Sequence, residues 1–425
     1  MLTDTESGSF VAAPRPVATS AERIASLDFI RGIAVMGILA ANIVAMGQPF
    51  PAYLYPDAFA VPHSPTEDWM WVWQLVLVDG KMRGLFTLLF GAGLYLFMER
   101  AWARGATIRL QVRRLVWLGL FGLVHFFFIW RGDILFLYAV SGLLALIFIG
   151  LSARKQLILG LLGYAAGGIL YALMFGFMSM AAQAVPSGDA AQASMQEGLQ
   201  TSKRSDLQDG EAELAIRQEG SYLDFVAHNF DAHSFDPLSA LIMFAFETLP
   251  LMLIGMAVYR MGFFGGAMAA RKLRLWGWVG LALGGALTLW IALAAKADGL
   301  TYYGTLVAFM GWSHMPRLFM TLGLAALLVV HTPTAGGWLS SRVTAAGRAA
   351  FTNYLGTSIV MLLVFGNWGL DLFGFLGRSE LYLVTLLAWV VMLAWSRPWL
   401  ERYRYGPLEW LWRCLTYGIR FRLKR

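Results

Sequence analysis

An all-α, polytopic membrane bundle is the fold this sequence predicts, on three observations. Of 425 residues, 58% are hydrophobic and only 14% are charged, against about a quarter charged in soluble domains. Ten apolar stretches approach the roughly 20 residues a helix needs to cross about 30 Å of hydrocarbon. None alternates polar and apolar residues as barrel strands do. Disordered, collagen-like and disulfide-stapled chains are excluded by the same composition, and the single cysteine, Cys414, permits no intramolecular disulfide.

The stretches run over about 27–47, 81–98, 112–130, 134–151, 157–180, 238–260, 275–295, 305–330, 347–367 and 380–397. Basic residues set their orientation. The connection after the first stretch, Gly47 to Asp79, has no Lys or Arg. The next carries Arg100, Arg104, Arg109, Arg113 and Arg114, and the alternation continues through Arg154 and Lys155, Arg271 and Arg274, Arg342 and Arg348, and the basic tail. Ten spans with both termini inside put these cations on the cytoplasmic face of the membrane. The net charge of +7 is then a topology signal, and no nucleic-acid partner is needed to explain it. The expected partners are membrane lipids, with a homodimer left open.

Around the spans, residues 1–23 are polar, with Pro14 and Pro16, and read as a disordered tail. The first five spans occupy 24–180. Residues 181–236 form an acidic insert, predicted as an outer cap of one or two short helices, and 237–397 hold spans six to ten. Residues 398–425 are predicted as a basic interfacial helix and tail, with Trp399, Trp410 and Trp412 at the inner interface and Trp69, Trp71 and Trp73 at the outer one.

Ionisable groups inside spans are costly, so each is a candidate for function. At about 100° per residue, Asp28, Arg31 and Asn42 share one stripe of the first span; a salt-bridged helix start explains the pair equally well. His125 sits near the outer end of the third span, and Asp133 opens the fourth across the tight Arg131-Gly-Asp133 turn. A carboxylate beside an imidazole fixes its tautomer and suits it to general-base work; packing is the plainer alternative. His314 and Arg317 flank Pro316, where a broken helix can expose backbone to a cavity. Arg348, Asn353 and Tyr354 open the ninth span, with Asn353–Thr357 and Tyr354–Ser358 spaced one turn apart. Lys81 and Arg83 lie at the outer end of the second span, against the charge rule, where snorkelling and anion binding compete as explanations. The string His228, Asp231, His233 and Asp236 matches no specific metal spacing, so no metal is assigned. Phosphate loops, dinucleotide fingerprints and nucleophile elbows are lacking.

Long segments in order resemble the YeiB family of bacterial membrane proteins, whose C-terminal half is the domain of unknown function 418. They are Leu27-Asp-Phe-Ile-Arg-Gly32, Leu85 to Gly93, His125, Gly132-Asp-Ile-Leu135, Met252 to Met256, Met315-Pro-Arg317, Gly347 to Leu355 and Gly406 to Arg413. The opening Leu-Asp-x-x-Arg-Gly is also similar to that of membrane acyltransferases, the acyltransferase-three group and heparan glucosaminide acetyltransferase among them. The resemblance implies transfer from a cytoplasmic acyl-CoA, with no tightly bound cofactor. His125 and Asp133 would then be catalytic, Asn42 and Asn353 would donate to the oxyanion, and Arg31, Arg317 and Arg348 would meet the nucleotide phosphates. The glucosaminide enzyme's active His follows its first span, where this chain has His63. A transporter or lipid-handling protein, with the same stripe lining a path for an anion or headgroup, is the alternative; a sensor or assembly factor is a third.

Overall fold

The computed structural model describes residues 24–186, 188–332 and 337–425; the tail expected over 1–23 lies outside them. Among these residues every extended element is helical, apart from one isolated bridge between Tyr403 and Lys424. The helices are α1 (Ala25–Gly47), α2 (Pro65–Leu77), α3 (Lys81–Trp102), α4 (Ile108–Phe128), α5 (Leu135–Ala145), α6 (Ala153–Gln183), α7 (Ala190–Glu219), α8 (Tyr222–His233) and α9 (Asp236–Arg260). They continue as α10 (Ala270–Ala297), α11 (Tyr302–Leu306), α12 (His314–Val330), α13 (Trp338–Arg348), α14 (Ala350–Phe365), α15 (Arg378–Arg402) and α16 (Pro407–Tyr417).

Six of these, α1, α4, α6, α9, α10 and α15, are long and apolar enough to cross a membrane. The count reaches eight if two bent pairs each form one span: α11 with α12, bent by 53° at a π-helical turn over Val307–Trp312, and α13 with α14, bent by 85°. Two expected spans fall short. The charges of α3 crowd its ends, Lys81 and Arg83 at one and Glu99 and Arg100 at the other. The fourth stretch is eleven residues of α5 prolonged by a 3-10 turn to Phe148. Apolar side chains on the outside of the bundle, such as Ile147, Leu173, Ile242 and Leu387, are largely exposed, as a lipid-facing surface requires.

The central element is α1, which packs against α3, α13, α14 and α15. Its contact with α13 is backbone on backbone. A Cβ on Gly347 would stand 1.8 Å from the Asp28 carbonyl oxygen, and one on Gly32 would stand 2.1 Å from that of Val343. Only glycine permits this approach, the small-residue packing typical of membrane helices. Two tryptophans clasp α1 from other helices: Trp389 Nε1 donates to the Met36 carbonyl at 2.9 Å and Trp130 Nε1 to that of Ala45 at 3.3 Å.

The insert departs from the one or two short helices expected. It holds a 30-residue helix, α7, followed by the 12-residue α8, both started by side-chain caps, Asp189 and the Ser221–Asp224 capping box. The amphipathic α16 packs on α4 and α14, and its tryptophans serve the protein's own backbone. Trp412 Nε1 donates to the Arg114 carbonyl at 2.9 Å and Trp410 Nε1 to that of Phe421 at 2.7 Å. At the other interface Trp69 and Trp73 are half exposed, whereas Trp71 is buried and donates to the Leu54 carbonyl.

Gly347→Ala should force α1 and α13 apart and cost about 1–3 kcal/mol, read as a lower melting temperature in detergent. Gly356→Ala, at a position on α14 where a Cβ meets nothing within 4 Å, should leave it unchanged or slightly higher.

Candidate functional site

The close approach of α1 and α13 places Asp28, Arg31 and Arg348 on one wall of a cavity of about 310 Å³. Arg114 from α4 and Arg413 from α16 line the same cavity, so four arginines gather there. Arg31 pairs with Asp28 at 2.9 Å, the helix-start pair expected. Arg114 is wedged between the rings of Phe97 and Trp412, 4.7 and 4.4 Å from their centroids, a cation–π sandwich that tolerates burial. Glu409 of α16 closes the wall by capping α14 from outside. Its Oε1 accepts from the Phe351 and Thr352 amides at 2.8 and 3.1 Å, and its Oε2 from the Thr352 hydroxyl at 2.5 Å. Burial raises the Glu409 carboxyl above its ordinary value, against those bonds, which lower it. Away from the arginines the lining becomes aromatic and apolar, with Phe86, Phe90, Tyr138, Ile134 and Tyr354.

That apolar end abuts the α4–α5 hairpin. His125 is fully buried, its Nδ1 2.8 Å from Asp133 Oδ1, and its ring centroid lies 5.2 Å from that of Tyr354. The second Asp133 oxygen accepts the Phe136 amide at 2.8 Å and so caps α5. With Nδ1–H donating to the carboxylate, Nε2 carries the lone pair, and it has no hydrogen-bond partner. Gly122, one turn before His125, makes the pairing geometrically feasible. A Cβ there would lie 2.3 Å from the Phe136 nitrogen and 2.8 Å from Asp133 Oδ2. Arg114 and His125 are both on α4, eleven residues and so about 16 Å apart along its axis.

A second polar cluster is buried between α3, α9 and α12. Arg83 Nη2 donates to both Glu247 oxygens at 3.0 and 2.9 Å, and Arg317 Nη1 to Oε2 at 2.7 Å. Arg317 Nη2 donates to the Phe309 carbonyl at 2.6 Å within the π turn, where the widened helix frees an acceptor. Lys81, also buried, donates to the Leu75 carbonyl. His314 stacks on Tyr164 with centroids 4.1 Å apart, and its Nε2 lies 3.1 Å from the Tyr164 carbonyl. One layer away, Tyr138 links cluster and cavity, its hydroxyl donating to the Arg83 carbonyl at 3.2 Å.

The predicted residues thus fall into separate groups. The structure brings Asp28, Arg31, Arg348 and Tyr354 to the cavity and sets His125 and Asp133 behind its far end. It does not bring Arg317 there: that guanidinium is 1% exposed and held by Glu247. Lys81 and His314 sit in the same buried layer as Arg317. The Asn353 amide is likewise engaged away from the cavity. Its nitrogen donates to the Ala346 carbonyl at 2.9 Å and the Ser396 hydroxyl at 3.2 Å, and its oxygen accepts from Trp395 at 2.9 Å, which secures the α13–α14 bend. Asn42 lines a void with room for about one water, beside Asn353 and Tyr354. His63 forms a further imidazole–carboxylate pair, Nδ1 to Asp68 Oδ1 at 3.0 Å, and Arg378 approaches its Nε2 at 3.4 Å. Burial, and then the Arg378 charge, lowers the His63 pKa.

Arg114, Tyr138, Glu409 and Arg413 of the cavity, and Glu247 and the fully buried Arg378 elsewhere, escape sequence reading. For Glu247 the signal was available: a lone carboxylate inside the sixth apolar stretch. Arg114 and Arg413 are hidden among the other basic residues of their connections.

A bundle of apolar helices enclosing a basic cavity and buried ion pairs is a polytopic membrane protein. The chain is 32% identical over 406 residues to the uncharacterized protein YeiB of Escherichia coli, covering 93% of this chain and 96% of that one. It is 30% identical over 430 residues to the uncharacterized protein YxaH of Bacillus subtilis, at 93% and 94% coverage. An uncharacterized 39.9 kDa protein in an amylase 3' region of Bacillus acidopullulyticus is 27% identical, at 94% and 95% coverage. The chain belongs to the YeiB family, and its residues 258–419 match the protein family of unknown function DUF418. No solved structure matches it.

Removing the external cap of α14 gives a direct check on the cavity wall. Glu409→Ala leaves three donors unsatisfied and should cost about 1–3 kcal/mol; Glu409→Gln, which keeps an acceptor, should cost less. Melting temperatures of the two variants in detergent read the difference.

Proposed function

We propose that the protein is a membrane acyltransferase that takes an acyl group from acyl-CoA at the side bearing its termini and delivers it to an acceptor hydroxyl or amine reached from the opposite side. The observation that carries this reading is the cavity itself, basic at one end and aromatic at the other, leading to an imidazole oriented by a carboxylate. On this reading the chain crosses the bacterial inner membrane ten times, α3 and α5 included, with both termini cytoplasmic; the alternation of basic connections supports that topology.

A volume of about 310 Å³ suits an acyl group and pantetheine arm, with the nucleotide at the mouth. Arg31, Arg114, Arg348 and Arg413 would meet its phosphates, a task for which guanidinium geometry is well matched. An extended pantetheine arm bridges the roughly 16 Å between Arg114 and His125 along α4. His125 Nε2 would accept the acceptor's proton as its oxygen or nitrogen bonds to the thioester carbonyl carbon. When the tetrahedral intermediate collapses, the C–S bond breaks and the departing sulfur takes that proton back from Nε2. Asp133 keeps the imidazole in the required tautomer and balances its transient charge. Tyr354, on the cavity wall, is the hydroxyl nearest the developing oxyanion on this path, and it accepts the Ile134 amide, so its own proton is left to donate. The rival reading, a path for an anion or lipid headgroup, has weaker support, because Glu247 already engages the buried Arg83 and Arg317.

Thermal-shift titration of the detergent-purified protein with CoA, acetyl-CoA and longer acyl-CoAs tests this. A ligand of the folded state raises the melting temperature in a saturable way. Arg31→Ala and Arg348→Ala should each weaken binding about 10–100-fold, the cost of a lost charge-assisted contact. His125→Ala should retain the shift while losing transfer of a labelled acetyl group. Absence of a shift with every thioester, or shifts indifferent to both arginines, contradicts the proposal.

A further inference from the structure

We propose that Asp209, His228 and His233 form a site for a divalent transition metal of the zinc type, which ties α7 to α8 beside the α4–α5 hairpin. Asp209 comes from α7, His228 from α8, and His233 is the last residue of α8. Their ligand atoms converge on one point. His228 Nε2 lies 3.4 Å and His233 Nε2 3.1 Å from Asp209 Oδ1, and all three atoms lie within 4.8 Å of one another. Zinc bonds of about 2.0–2.1 Å at tetrahedral angles require ligand atoms roughly 3.3 Å apart. The two edges that meet at Asp209 Oδ1 therefore match those of a tetrahedral face, and a small closure of the third would complete it, with the fourth position open to water.

The outer contacts strengthen the assignment. His233 Nδ1 lies 2.9 Å from Asp236 Oδ2, the carboxylate–histidine pairing that metal sites use to hold a ring and present its other nitrogen as the ligand. His228 Nε2 is buried without a hydrogen-bond partner. Arg131 lies beside the cluster, its Nη1 2.7 Å from both Asp209 Oδ2 and His233 Nε2, and its Nη2 3.0 Å from Glu213 Oε2. A metal claims the His233 nitrogen and Asp209 Oδ1. Arg131 Nη1 gives up that nitrogen to the metal and keeps Asp209 Oδ2, while Nη2 keeps Glu213, so the two cations share the carboxylate. The three ligand side chains are 9–24% exposed, which leaves an entry path from solvent.

The site bears on the candidate active centre through position alone. Arg131 belongs to the turn between His125 and Asp133. On α8, Asn229 Nδ2 donates to the Phe127 carbonyl at 3.1 Å and the Tyr222 hydroxyl to that of Phe128 at 2.8 Å. Both acceptors are in the last turn of α4, immediately after His125. Spacing in the sequence conceals the site, because the acidic ligand is supplied by the preceding helix, whereas Asp231, the carboxylate within the His228–Asp236 string, is exposed and outside the group.

Chelator-treated full-length protein in detergent, titrated with cobalt(II), provides the test. The expected result is one cobalt per chain, with the intense visible absorption of a tetrahedral site, displaced by zinc. His228→Ala and His233→Ala should each abolish those bands, Asp236→Asn should weaken affinity about 10–100-fold, and His331→Gln, on a remote helix end, should change nothing. If His233→Ala fails to fold, His228→Ala at the more exposed ligand decides the matter alone. Lack of saturable binding by the folded wild-type protein, or bands that survive His228→Ala, overturns the proposal. The readout needs no enzymatic assay, so it stands or falls independently of the acyltransferase reading.

Discussion

The backbone contact between α1 and α13 at Gly32 and Gly347 governs the placement of everything around the cavity. Both helices could be held at ordinary side-chain distance by apolar packing, but Asp28, Arg31 and Arg348 would then face different neighbours. At contact distance their polar ends converge, and the 85° turn into α14 carries Tyr354 toward His125. Asn353 locks that turn with its whole amide, and Glu409 satisfies the amides at the start of α14. A helix bent this sharply leaves backbone donors and acceptors open, and in a membrane each must be answered by the protein. Here α15 and α16 supply the answers, which explains why the C-terminal helix packs on the bundle.

Three of the buried polar sets among the described residues are each neutralised in a different way. The cavity arginines are offset by Asp28 and by aromatic faces. Between α3, α9 and α12, Glu247 accepts from two arginines at once. Arg131 joins Asp209 and Glu213 of the insert to the hairpin that carries Asp133. Desolvating an unpaired charge is far more costly than desolvating a paired one, so these partners are conditions of folding as much as of function. The cavity differs from the Glu247 cluster in keeping open volume beside its cations, and that is why the proposed ligand site lies there.

Much of the architecture was legible because hydropathy is a one-dimensional signal: every expected apolar stretch has its helix. The pairing of His125 with Asp133 was also readable, since a tight turn leaves the two little freedom. The helix-start pair of Asp28 and Arg31 follows from spacing alone. What spacing does not encode is contact between distant segments. Arg317 looked available because Glu247 lies seventy positions earlier. Asn353 resembled a free donor because its partners Ala346, Ser396 and Trp395 meet it only through the bend and α15. The metal triad was hidden for the same reason, and the length of α7 was missed because a polar helix resting on a bundle has no apolar period to reveal it.

The central claim is that the basic cavity between α1, α4, α13 and α16 receives an acyl-CoA with its thioester toward His125. The most direct measurement is a cryo-electron-microscopy structure of the protein with a non-hydrolysable acyl-CoA analogue. The account predicts phosphate density among Arg31, Arg114, Arg348 and Arg413, and the carbonyl surrogate beside Tyr354. Density for the analogue at the Arg83–Glu247–Arg317 layer instead, or an empty cavity at saturating analogue, would contradict it.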